Sequence, residues 1–100
     1  MTVKHIVIWK VAAADENERA AAIARIQGLL TSLVGQIDTI QSLTVGVNGI
    51  WPEKNADVTI VADFADFEGL ETYQNDPRHL EVAGEIRALV SERTSIDYEY

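Results

Sequence analysis

The chain predicts an α+β sandwich in which one four-stranded antiparallel sheet carries helices on one face. Three observations lead there. Strand-like and helix-like periodicities alternate in the order βαββ(α)αβ. The first strand-like segment is apolar on both parities in its middle, as a central strand buried on two sides requires. Finally, 100 residues, 47% of them hydrophobic and 24% charged, suffice for one core and not for two. The simplest compact solution is the ferredoxin-like βαββαβ arrangement.

Val3 to Val11 reads as the first strand. Val3, His5, Val7, Trp9 and Val11 share one side, and Lys4, Ile6, Ile8 and Lys10 the other. Asp15, with Glu18 three residues on, forms a capping-box signal that opens a helix. Its apolar stripe is Ile23, Ile26, Leu30 and Leu33, and Gly35 is its expected C-terminal cap. Leu43, Val45 and Val47 then alternate with Thr44 and Gly46 in a second strand over Ser42 to Asn48. A turn-rich stretch through Asn55 separates it from a third strand, Val58 to Phe64.

Asp66 caps a short helix carrying Phe67, Leu70 and Tyr73. Pro77 ends it, because proline disfavours helical geometry at the residue before it. Asp76 as cap and Pro77 at the first helical position start the next helix, with His79, Val82, Ala83, Ile86 and Val90 along one side. Thr94 to Tyr100 is the closing strand, placing Ile96, Tyr98 and Tyr100 on one parity and Ser95, Asp97 and Glu99 on the other. In this layout the face without helices is apolar and needs cover. A second copy of the same sheet supplies it by two-fold symmetry, burying about 800 Å² per subunit. A homodimer is expected.

Sixteen acidic and eight basic residues give a net charge of −8. The first 50 residues balance, so the whole excess lies in the second half. So negative a surface, without a basic cluster, argues against nucleic acid and anionic lipid as partners. No segment approaches the roughly 20 apolar residues of a membrane span, and no secretory signal opens the chain, so a cytoplasmic location is expected. With no cysteine, thiolate chemistry is excluded. The two histidines lack HxxxH or HxH spacing, so neither a metal nor another cofactor is expected. There is no P-loop, GxGxxG or nucleophile-elbow pattern.

What remains is His5, His79 and Tyr73. Both histidines fall on parities expected to be buried, where a neutral imidazole serves as general acid or base. The break at Asp76-Pro77 lets Tyr73, near the end of one helix, and His79, in the first turn of the next, face a common space. His5 faces it from the sheet. A phenol and an imidazole around an apolar cavity can polarise a carbonyl and remove a neighbouring proton. The plainer alternative is a satisfied histidine near a helix start and a tyrosine that caps the core. If strands one and four are neighbours, Asp97 approaches His5 and sets its tautomer; a solvated edge carboxylate is the alternative.

Three segments, Val3-Lys4-His5-Ile6-Val7-Ile8-Trp9-Lys10, Tyr73…Asp76-Pro77-Arg78-His79 and Ile96-Asp97-Tyr98, resemble the stress-responsive A/B barrel (Dabb) domain family. The resemblance spans about residues 2 to 98 in the same element order. It implies two ferredoxin-like subunits paired into a dimeric α+β barrel. A few members of that family are cofactor-independent polyketide cyclases that close a poly-β-keto chain by aldol chemistry. Carried over by motif, His79 is the general base and Tyr73 orients it or the substrate. His5, Val7, Trp9, Ile23 and Asp97 then line a site for a small apolar or aromatic ligand. Other members have no assigned reaction, which leaves a non-catalytic structural or stress-protective dimer as the second expectation.

Overall fold

The computed structural model describes residues 1–100. Strand β1 (Val3–Val11) leads into helix α1 (Glu16–Thr31), then β2 (Ser42–Val47) and β3 (Val58–Phe64). Helices α2 (Phe67–Asn75) and α3 (Pro77–Arg87) follow, and β4 (Val90–Glu99) closes the chain. The sheet order is β2-β3-β1-β4 with every neighbouring pair antiparallel, which is the ferredoxin-like topology. All helices lie on one face. No helix is long and apolar enough to cross a membrane.

The core is the space between that face and the helices. Val3, Val7, Trp9 and Val11 of β1 and Val58, Ile60, Ala62 and Phe64 of β3 project into it. Ile26, Leu30, Leu70, Val82 and Ile86 meet them from the helices. Only two polar residues are buried there, His5 and Asp57. Asp57 accepts the Val11 N–H at 2.9 Å and the Arg19 Nε–H at 2.9 Å. It thus satisfies an amide freed where the β1–β4 register shifts at Lys10/Val11, and ties α1 to the sheet.

Local signals act as their chemistry dictates. The Asp15 side chain accepts the Glu18 N–H at 2.8 Å, and the Glu18 carboxylate returns to the Ala14 N–H at 2.8 Å. Asp76 accepts the Arg78 N–H at 2.8 Å and is the single residue between α2 and α3. Two boundaries differ from the periodicity. Helix α1 ends at Thr31, with Ser32 as its cap, because Leu33 and Val34 bond back three residues and tighten the chain. Leu33 is still buried, but from a turn, and Gly35 (φ 83°) supplies a left-handed position within the turns that follow.

At the other end, β4 begins at Val90 rather than Thr94. Val90 pairs with Val11 instead of extending the apolar side of α3. The reason is that Leu89 N–H closes on the Ile86 carbonyl at 2.8 Å, and Ala12 N–H then pairs with the Leu89 carbonyl at 2.9 Å. Ser91, Glu92 and Arg93 have no apolar alternation because this is an exposed edge strand.

The helix-free face carries Ile8, Ile96, Tyr98 and Tyr100, all exposed. One end of it is polar and organised. Asp63 meets Lys4 at 2.8 Å and accepts hydroxyl bonds from Tyr100 at 2.6 Å and Ser42 at 2.8 Å.

Candidate functional site

A cavity of about 130 Å³ lies between β1, α2, α3 and the start of β4. Its wall is mostly apolar, with Val7, Trp9, Ile60, Val82 and Ile86 among the lining side chains. The helix break builds its reactive corner. Because Asp76 is extended (φ −64°, ψ 133°) between two helices, Tyr73 and His79 are brought into contact, with ring centroids 4.3 Å apart and planes tilted by 49°. The His5 ring stands 6.0 Å from Tyr73 on the sheet side, and Phe64 backs Tyr73 at 5.1 Å.

The polar atoms are directional. His79 Nδ1 faces the Gln74 carbonyl at 3.1 Å, so the proton sits on Nδ1 and Nε2 keeps its lone pair. Burial lowers the His79 pKa; the bond to Gln74 opposes that, while the Arg93 charge adds to it. The imidazole is accordingly a neutral base at pH 7. His5 Nδ1 donates to the Asp97 carboxylate, which leaves its Nε2 as the acceptor nitrogen. Tyr73 is fully buried, and its hydroxyl has no hydrogen-bond partner in the chain. Burial pushes the phenol up to about 12, so it is a donor and not a phenolate.

Of the residues the sequence singled out, His5, Val7, Trp9, Tyr73 and His79 are brought together around this cavity. Asp97 is not part of its wall; it is a third exposed and reaches the site only through His5. Ile23 lies elsewhere, in an open groove with Ala20, Val47, Ile50 and Pro52 along the N-terminal part of α1. Leu30, two turns further along that helix, takes the lining position instead. Ile23 and Leu30 share one helical face about 10.5 Å apart along the axis, so spacing marks the face but not which turn reaches the cavity. Sequence reading missed Gln74, Arg87 and Arg93. The signal for Arg93 was its shared parity with Ser95 and Asp97, hidden by starting the last strand at Thr94 instead of Val90.

A family model, the Stress responsive A/B Barrel Domain (Dabb), matches residues 3–100. The chain belongs to the Dabb family. Among solved structures, this Dabb domain is similar to a dimeric protein of unknown function and ferredoxin-like fold from Bacteroides fragilis. The TM-score is 0.88 at 22% identity, over 99% of this chain and 96% of that one. It is similar to a dimeric ferredoxin-like protein of unknown function from Thermobifida fusca, with TM-score 0.85 at 19% identity, over 100% and 92%. It is also similar to a hydroxynitrile lyase from Passiflora edulis, with TM-score 0.75 at 16% identity, over 97% and 91%. No curated protein matches. At these identities the likeness establishes the fold.

Proposed function

We propose that this Dabb domain works as a homodimer whose protomers each bind a small apolar or aromatic carbonyl compound beside His79. There they carry out cofactor-independent lyase- or cyclase-like chemistry. The observation that carries the reading is the Tyr73 hydroxyl, buried without a partner against the cavity and the His79 ring. An orphaned buried hydroxyl costs about 1–3 kcal/mol. A ligand carbonyl oxygen that accepts from it recovers that cost.

The chemistry follows from the two rings. Tyr73 donates to a carbonyl, and His79 Nε2 takes a proton from the adjacent carbon, so the developing enolate oxygen keeps the phenol bond. The resulting His79 imidazolium returns the proton to the leaving or closing fragment. Burial lowers the His79 pKa and makes the imidazolium a willing donor. Size limits the substrate: an apolar cavity of roughly 150 Å³ takes benzene. A space of about 130 Å³ therefore suits one ring or a short chain, not an extended poly-β-keto chain. The solved relative named a hydroxynitrile lyase supports lyase chemistry on this architecture. The dimer is supported by the exposed apolar sheet face and by relatives described as dimeric.

The test is exchange of solvent deuterium into the carbon next to the carbonyl of single-ring ketones, followed by NMR with wild type and His79→Ala. Exchange that depends on His79, with movement of the His79 ring signals on binding, is the expected result. If no ketone in such a panel moves those signals or exchanges above background, catalysis is excluded. The second reading, a structural or stress-protective dimer, then stands. That reading is favoured by the packing of Tyr73 against Phe64 and His5, which also makes it a core residue.

A further inference from the structure

Six of the chain's eight lysine and arginine side chains are engaged by a carboxylate, a backbone carbonyl or an aromatic ring, and two are not. Lys4 pairs with Asp63, Arg19 with Asp57, Arg25 with Glu85 and Arg78 with Asp76. Lys10 donates to the Pro52 and Asn55 carbonyls, and Lys54 lies over the Trp51 ring. The two that remain, Arg87 and Arg93, meet no carboxylate, and both line the cavity that holds Tyr73 and His79. In a chain of net charge −8 with sixteen carboxylates, unpaired guanidiniums are the exception. That both border the same small apolar space is the observation to explain.

Their positions follow from the fold. Arg87 is in the last turn of α3, and Arg93 stands opposite Trp9 on the helix-covered face of the sheet. The tight α3–β4 connection through Leu89 brings the two to the same rim. Arg93 donates only to the Ser95 hydroxyl, at 3.3 Å, so most of its five N–H groups are uncommitted. Both side chains are exposed at their outer ends, while the wall between them and Tyr73 is apolar.

We infer that Arg87 and Arg93 form the anion-recognising rim of this pocket, and that its ligand is a small carboxylic acid. The body, about the size of one ring and bearing the carbonyl that Tyr73 engages, enters toward Tyr73 and His79, and the carboxylate stays at the mouth. Guanidinium forks match a carboxylate in geometry and charge. The arrangement also orients the ligand, because only one end can be solvated by the rim. This inference rests on the pocket reading above and adds the class of ligand to it.

The experiment compares benzoate with benzamide, an uncharged analogue of the same shape. Trp9 lines the cavity and Trp51 is exposed, so binding is read as Trp9 fluorescence in a Trp51→Phe background. Benzoate is expected to bind roughly tenfold more tightly than benzamide. The difference should shrink as salt is raised. In the Arg87→Gln/Arg93→Gln double variant, whose exposed side chains leave the core untouched, the two ligands should bind alike. Equal affinities in the parent protein overturn the carboxylate inference and leave the pocket reading intact. A benzoate preference that survives the double variant also overturns it. If neither compound binds and the His79 ring signals stay still, the pocket reading falls and takes this inference with it.

Discussion

The rings of Tyr73 and His79 lie 4.3 Å apart across a helix break, although they belong to different helices. The contact exists because Asp76 is extended and Pro77 restarts the helix at once, so the chain turns without a loop. A break of that kind places the phenol donor and the imidazole base on one side of a cavity. Tyr73 is buried and His79 half-buried, and the hydroxyl is unpaired.

Removing that hydroxyl separates stability from function. Tyr73→Phe is expected to leave the unfolding free energy unchanged or raise it by up to about 1–2 kcal/mol, since an unpaired buried hydroxyl is lost without a hydrogen bond being broken. The same variant should weaken carbonyl-ligand binding. Calorimetric melting and ligand titration check the two halves; a marked loss of stability would mean the hydroxyl has a partner.

His79 fixes a pH response. Its pKa is lowered in the folded protein, from an ordinary 6.5, chiefly by burial. The native state therefore binds fewer protons than the unfolded chain, and this contribution to stability is full above the ordinary value. It is lost as pH falls through the lowered folded value. An NMR titration of the His79 ring should show a midpoint below 6.5, and base-dependent turnover should fade on the acid side of that midpoint.

A second acid-side transition belongs to the helix-free face. Lys4, then Tyr100 and Ser42, hold the Asp63 carboxyl at about 2, below the ordinary 3.8. Being depressed, it stabilises the fold above the ordinary value, and that stability disappears between about 4 and 2 as pH falls. Asp76, held at about 2 chiefly by Arg78, adds to the same window. Urea unfolding should show Asp63→Asn with a shallower loss of stability over this range than wild type.

Asp57 is expected to be a structural carboxylate. Asp57→Ala strands the Val11 amide and unties Arg19, for a loss of about 2 kcal/mol by denaturant melts. The cavity lies apart from it, so ligand affinity of the folded fraction should not change.

The apolar sheet face gives the assembly test. Ile96→Glu puts a charge among Ile8, Tyr98 and their symmetry mates and should convert a dimer to monomer at micromolar concentration. Sedimentation equilibrium reads it directly against the 11.0 kDa chain mass. A wild-type protein that sediments at that single mass would remove the dimer from the proposal.

Element order, the caps at Asp15, Asp66 and Asp76, the helix break and the buried parity of β1 were all legible in the sequence. Each is written in residues no more than about four apart, where capping bonds and hydrophobic periodicity act. The chain alone thus determined the ferredoxin-like architecture and named His5, Tyr73 and His79. What only the tertiary structure decided depends on register between distant strands and on where along the sheet helix α1 is seated. The pairing of Trp9 with Arg93 brings a guanidinium to the cavity, and that of Val11 with Val90 starts the last strand early. The position of α1 along the sheet brings Leu30, two turns beyond Ile23 on the same helical face, to the site. Such choices are made by packing across the whole core, where many residues of similar hydrophobicity compete, so no local pattern can encode them.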